Sequence, residues 1–240
     1  MVTVDYDVVW KTKWGGAQSY GPFHRHLRRI IKEMIRPLKF QSVLDVGCGQ
    51  GSLLAELKLV FPAIKPTGVD VSLSAIEFAR RRVPDGDFRV LDVTEASLDT
   101  SYDLVICSEV LEHIPNDVIA IQNLKKMTKK YLLVSTPQGR MRGFEKQIGH
   151  VRNYASGELV GKIESSGFTI VSAVEWGFPF YSPLYRNFLD LGGSNGTSGE
   201  FGPLRKFVAR LIYMLFLLNS SKRGDEIFVL AKVSQDSASS

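Results

Sequence analysis

The chain is poor in cysteine and has no apolar run long enough to cross a bilayer. Of its 240 residues only Cys48 and Cys107 are cysteine, and they fall in unrelated segments, each at the end of an expected strand. Such a pair reads as buried small hydrophobes in a reducing compartment, not as a crosslink or a metal pair. No stretch reaches the ~18 to 20 apolar residues of a membrane-crossing helix. Met1-Val2-Thr3-Val4-Asp5 lacks the basic region and apolar core of a secretory signal, so a cytoplasmic location is expected. Internal repeats are missing too, which argues against a solenoid.

What is present has the composition of a soluble globular protein, 44% hydrophobic and 23% charged. The length suits a single domain over 1–240 with elaborations. Net charge is +5, and much of it gathers in His24-Arg25-His26-Leu27-Arg28-Arg29, Lys32 and Arg36. At helical spacing this cluster reads as a solvated face, with an anionic substrate or surface as the alternative.

Periodicity divides the chain into alternating elements. A helix over 22–36 begins on the N1 proline Pro22 and stops before Pro37. Short β-type runs follow at 42–46, 67–71, 88–91, 104–107 and 131–135, separated by helical patterns at 52–60, 73–82 and 116–128. This alternation predicts an α/β fold, a doubly wound parallel sheet with helices on both faces. A helix over 156–166 is closed by Gly167, and 168–174 reads as a sixth strand. The last strand, 226–233, returns after a long excursion, so an antiparallel insertion is expected. The tail 234–240 reads as disordered. Within the excursion, 177–225, lie Gly177-Phe178-Pro179-Phe180-Tyr181, a Gly-rich stretch over 192–199 and an apolar helix over 207–218. In that helix Arg210 is the single charge. It reads as buried against the domain or as a membrane-surface or partner contact through 204–218.

The densest signal is Val43-Leu44-Asp45-Val46-Gly47-Cys48-Gly49-Gln50-Gly51, a strand running into a G-x-G-x-G turn before a helix. Glycines there let backbone approach a ligand where a Cβ would collide. The spacing is one residue shorter than the dinucleotide fingerprint, whose pyrophosphate needs helix amides aimed at it. In a doubly wound sheet, ligands bind at the carboxyl ends of the strands. Those ends carry acids in succession: Asp45, then Asp70 with Val71, then Asp92 with Val93, then Ser108 and Glu109. Asp70, nineteen residues past Gly51, can accept ribose hydroxyls, and Asp92 an exocyclic amine, or else it caps the turn near Thr94.

These residues together resemble the class I S-adenosylmethionine-dependent methyltransferases, strongly over 42–136 and more loosely to 233. Leu111-Glu112-His113 and Gly149-His150-Val151-Arg152-Asn153-Tyr154 are similar to the small-molecule branch that includes ubiquinone-biosynthesis O-methyltransferases. The resemblance implies S-adenosylmethionine as cofactor and a seven-stranded sheet in the order 3-2-1-4-5-7-6. It implies that Asp45, Gly47, Cys48, Gly49, Gly51, Asp70, Val71, Asp92, Val93, Ser108 and Glu109 bind that cofactor. The turn would lie on the methionine part, Asp70 on the ribose and Asp92 on the adenine. It also implies that 1–36 forms a lid and that 177–225 caps the substrate. A sulfonium cofactor carries no phosphate, so acids without basic residues at the turn suit it, whereas NAD would prefer the longer turn.

Methyl transfer to a hydroxyl needs alignment and a base, and His113 is the leading candidate, with His150, His24 and His26 as others. The expected acceptor is a small or lipid-like molecule with an apolar body and an anionic group, methylated at oxygen. Two further readings stand. Glu109, Glu112, His113 and His150 resemble the metal-binding pattern of small-RNA 2′-O-methyltransferases, although E-x-x-E-H also occurs in metal-free relatives and no metal is expected. The basic helix lacks the interleaved aromatics of a single-strand platform, which disfavours nucleic acid. A cofactor-binding regulator or scaffold without turnover is the other.

Overall fold

The structure is a computed structural model and describes residues 5–10, 14–192 and 201–234. The Gly-rich stretch beyond 192, Lys11–Lys13 and the tail from 235 lie outside them. Seven strands form one sheet: β1 (Ser42–Val46), β2 (Lys65–Asp70), β3 (Asp87–Val90), β4 (Tyr102–Ser108), β5 (Thr128–Pro137), β6 (Phe168–Trp176) and β7 (Glu226–Val233). Their order is β3-β2-β1-β4-β5-β7-β6, with β1 to β5 paired in parallel and β7 antiparallel to both neighbours. The expected order and the antiparallel last strand are therefore those observed.

Alternation along each central strand feeds two cores. Val43, Leu104, Ile106, Phe228 and Leu230 face one layer, while Leu44, Val105, Cys107, Ile227 and Val229 face the other. The first layer is covered by α3 (Pro22–Ile35), α4 (Ser52–Val60) and α5 (Leu73–Arg82). The second is covered by α6 (Asp117–Met127) and α8 (Glu158–Ser165). Cys48 and Cys107 are both buried free thiols, in unrelated segments as expected. Each central strand is thus apolar on both faces, as a doubly covered parallel sheet requires.

Two short helices, α1 (Tyr6–Val9) and α2 (Gly15–Tyr20), precede α3. A short helix, α7 (Gly143–Gln147), lies between β5 and α8, and the excursion holds a π-type turn (Phe180–Tyr185), α9 (Arg186–Gly192) and α10 (Pro203–Phe216).

Two readings of charge and polarity change in three dimensions. The basic cluster of α3 is not a solvated face: His26 and Arg28 are buried. The His26 ring stacks on Trp176 and Tyr213 and its Nε2 meets the Tyr213 carbonyl at 2.9 Å, while Arg28 bonds Glu56 and the Gln18 carbonyl at 2.6 and 2.7 Å. Conversely, α10 buries only Ala209 and Phe216 and leaves most of its apolar side chains exposed. His26 is buried by the packing of α3 against α10, and Arg28 by α4 and α2.

Candidate active site

The carboxyl ends of β1 to β4 open into one cavity of about 570 Å³. Its first half is the glycine turn. Gly47, Gly49 and Gly51 all have positive φ, at 74°, 52° and 73°. A Cβ on Gly47 would sit 2.2 Å from Val110 Cγ2, and one on Gly49 would sit 2.4 Å from the Trp10 ring, so neither position admits a side chain. Gly51 differs from the expectation. It does not line the cavity, and its Cα faces Ala79 of α5, where a Cβ would meet another at 3.2 Å. Close α4–α5 packing, not ligand contact, is what this glycine permits.

Asp70 ties the turn together: Oδ2 accepts from Gly49 N and Oδ1 from Ser72 N, both at 2.9 Å. Each of these oxygens keeps a lone pair for a ligand hydroxyl. Asp45 has no such amides; burial and the neighbouring Asp70 push its carboxyl up to about 8. An acid held that high gains from a cation or donor beside it. Asp92 Oδ1 accepts from Thr94 N and Oγ1 at 2.8 and 2.7 Å, so it does cap the turn at Thr94 while also lining the cavity. Val71, Val93, Cys48 and Ser108 line it as well, and Ser108 Oγ pairs with Ser135 Oγ at 2.7 Å.

The floor after β4 holds a buried ionisable cluster. Glu109 has φ of 58°, the one positive value outside glycine among the described residues. Its carboxyl faces Ser135 and Glu226, and burial pushes it up to about 7; Glu226 is raised well above the usual carboxylate range by burial and by Glu109. Both Glu226 oxygens lack a hydrogen-bond partner, and two acids buried beside each other disfavour ionisation of both at once. Glu112 is fully buried and raised likewise by burial and by Glu109. Thr136 Oγ1 donates to its Oε2 at 3.0 Å, while Oε1 has no partner. His113 Nε2 lies 3.9 Å from Glu112 Oε1, and the His113 and His150 rings meet edge to face at 4.7 Å. Burial lowers His113 to about 4, and burial with the His113 neighbour lowers His150 to about 3, so both imidazoles are neutral near pH 7. Glu112, His113 and His150 offer one ligand atom each within 4.8 Å. Glu109 is outside that group, turned toward Ser135 and Glu226, so three of the four residues of the metal pattern converge.

The roof comes from residues that the strand-end reading missed. Trp10 packs on Gly49 and edge-on to Trp14, and Tyr6 meets the His113 ring at 6.0 Å. Asp7 Oδ1 accepts from Ser72 Oγ and Ser74 N at 2.6 and 3.0 Å, fastening α1 to the start of α5. Gln50 Nε2 donates to the Gly15 carbonyl at 3.0 Å, fastening α2 to the turn. The aromatic density of Trp10, Trp14 and Tyr20 is the sequence signal for this roof. Beyond it an apolar arm runs between α3 and the excursion, lined by Phe23, Leu27, Ile31, Tyr181, Tyr185 and Leu189. Arg28 is the single Lys or Arg on the described cavity wall, and it is already engaged by Glu56. His24 is held down to about 3, chiefly by burial and then by Arg28. Among the described residues the arm therefore offers no available cation to pair with the anionic group expected on the acceptor.

Residues 39–185, spanning both β1 with its glycine turn and the floor cluster, match the family model described as a methyltransferase domain. The chain belongs to that family. This methyltransferase domain is 31% identical over 125 residues to a ubiquinone biosynthesis O-methyltransferase of Nitrosomonas europaea, covering 48% of the chain and 52% of that protein. It is also 31% identical, over 40% of its length and 36% of the relative's, to a malonyl-[acyl-carrier protein] O-methyltransferase of Acetivibrio thermocellus. The chain thus spans about half the length of the first relative. In fold it superposes on magnesium protoporphyrin IX methyltransferase from Synechocystis PCC 6803 with bound SAH, TM-score 0.58 at 17% identity, covering 88% and 84% of the two chains.

Proposed function

We propose that this methyltransferase domain transfers a methyl group from S-adenosylmethionine to an oxygen of a small, largely apolar acceptor. The observation that carries the reading is the single cavity in which an acid-lined glycine cradle opens into an uncharged aromatic arm. The cradle fits the cofactor on its own chemistry. Asp45 is a buried acid short of donors, Asp70 keeps free lone pairs, and Gly47 and Gly49 leave room that a Cβ would fill. Val71 and Val93 flank the expected ribose and adenine positions at Asp70 and Asp92, with Cys48, Ser108 and Glu109 completing the wall. When bound, S-adenosylmethionine supplies an electrophilic methyl group that leaves behind a neutral thioether.

The chain's own residues do the rest. Tyr6, Trp10 and Trp14 exclude water from above, and the arm holds the acceptor's body. His113, which lines the cavity beside Glu112 and His150, receives the acceptor's proton. A base held near 4 is weak, so alignment supplies more of the acceleration than proton removal does. The metal-assisted reading on RNA has support in the Glu112–His113–His150 group, but three cations of the basic helix it would use, Arg28, Arg29 and Lys32, pair internally with Glu56 and Glu33. Labelled S-adenosylmethionine incubated with lipid, metabolite, RNA and protein fractions tests the proposal. Label in an organic-soluble product, insensitive to chelator, is expected. Label confined to RNA and abolished by chelator supports the metal reading, and cofactor binding with no label anywhere supports a scaffold.

A further inference from the structure

Helix α10 carries an apolar stripe on which nothing packs among the described residues. Leu204, Phe207, Val208, Leu211, Leu215 and Leu218 recur at spacings of three and four residues, and all are exposed, Leu204 at 76%, Phe207 at 59% and Leu218 at 70%. Monomer surfaces seldom leave so contiguous an apolar row open to water. The opposite edge of the helix is anchored to the domain through Ala209, Phe216 and the stack of Tyr213 on His26. The stripe is therefore fixed in place on a rigid support.

We infer that this face docks on the surface of an anionic lipid bilayer. Charge argues for the occupant: Pro203–Arg223 holds Arg205, Lys206, Arg210, Lys222 and Arg223 and not one Asp or Glu. Lys206 and Arg210 are exposed beside the stripe. An apolar stripe of Leu and Phe with cations beside it is the pattern of helices that lie in the headgroup plane. Protein interfaces instead concentrate Trp, Tyr and Arg, with Leu under-represented at their hot spots. Fourteen residues at ~1.5 Å each give about 21 Å, too short for a bilayer core of ~30 Å, so the helix lies on the membrane and does not cross it.

The cavity supplies a second, independent argument. Phe201, one turn before α10, lines the cavity and packs on Tyr20, whose ring lies under the Lys206 ammonium at 4.1 Å. The apolar arm therefore reaches the chain at the start of the docking helix. An acceptor held in the bilayer would enter there without crossing water. This deepens the proposed reading of an apolar acceptor and rests on it for that step alone.

The test uses the full chain and flotation with vesicles of phosphatidylcholine containing phosphatidylglycerol, against vesicles of phosphatidylcholine alone. Binding to the anionic vesicles is expected, weakened by salt. Leu211→Glu with Leu215→Glu lowers it at least tenfold, and each of Lys206→Gln and Arg210→Gln lowers it about fivefold. The thermal midpoint of every variant is measured, and because these side chains are exposed it stays near the parent's; Leu59→Glu on α4 serves as the control for an added surface charge. The inference is overturned if the parent chain does not float with anionic vesicles, if the double variant floats as well as the parent, or if the parent forms a dimer that the double variant abolishes. Vesicle binding needs no turnover. Binding without methylation of any lipid fraction would refute the apolar acceptor and leave the docking face standing, and lipid methylation by a chain that ignores vesicles would do the reverse.

Discussion

The two halves of the cavity are built by different means. The half proposed for the cofactor has a local centre: within nine residues a strand, a turn and a helix start set Gly47, Gly49 and the acid Asp45 in place, and Asp70 at the end of β2 ties the turn down. The half proposed for the acceptor is assembled from α1, α2, α3 and the described residues of the excursion, segments separated by most of the chain. A local site is held by backbone hydrogen bonds such as those from Gly47 N and Cys48 N to the Val69 carbonyl, 2.8 and 3.0 Å. A remote one depends on side-chain fasteners: Gln50 to Gly15, Asp7 to α5, and the buried group of Arg186, Glu145, Asp225 and Arg142 beneath the cap. The acceptor half is therefore the one that a single side-chain change can detach.

The largest effect should come from that fastener. Arg186 is fully buried between Glu145 and Asp225, so Arg186→Met leaves Glu145 uncompensated and costs about 3–5 kcal/mol in chemical denaturation. In what remains folded, cofactor affinity should hold while acceptor turnover falls; equal loss of both would mean that the halves are not separable. Gly47→Ala attacks the other half. A left-handed backbone costs a non-glycine residue ~1–2 kcal/mol before the clash with Val110, and cofactor affinity by calorimetry should fall at least tenfold.

His113→Gln keeps the size of the side chain and removes the base. A drop in kcat of about tenfold is expected, below the ~10² to 10⁴ of a well-matched base, because the imidazole is held near 4. A drop beyond a thousandfold would show that proton transfer dominates.

Asp45→Asn tests the electrostatics through pH. Burial raises the folded carboxyl to about 8 from an unfolded 3.8, so the native state holds its proton more tightly and the group's contribution to stability is lost as pH rises from 4 through 8. The cofactor-free Asn variant should therefore gain in melting temperature relative to the parent as pH rises through that window, while binding the cofactor more weakly. Identical profiles would remove Asp45 from the argument. The smallest change is expected from Leu211→Ser on the exposed stripe, within about 0.5 kcal/mol of the parent.

The strands were readable because each is a short apolar run bounded by turn residues, and β1, β7, α4 and α5 begin and end where periodicity places them. The acids at strand ends were readable for the same reason: topology sends every parallel strand's carboxyl end to one edge. Gly51 faces Ala79 of α5 and not the cavity wall, and a glycine that admits a ligand and one that admits a neighbouring helix look alike in a motif. Glu226, the acid buried beside Glu109, carried no signal, since it comes near Glu109 only through the pairing of β7 beside β5. The burial of His26 and Arg28 was equally invisible: helical spacing shows a basic face but not what packs on it.

By itself, then, the sequence determined the alternating strands and helices and the glycine cradle, because strand period and turn chemistry act over a few residues at a time, while the order of the strands was implied only by the family resemblance. Only the tertiary structure decided which charges are buried, that Glu112, His113 and His150 converge while Glu109 turns away, and that α10 shows its apolar stripe to the outside. Those outcomes depend on which helix meets which, and side chains distant in sequence compete for the same few ångströms of contact.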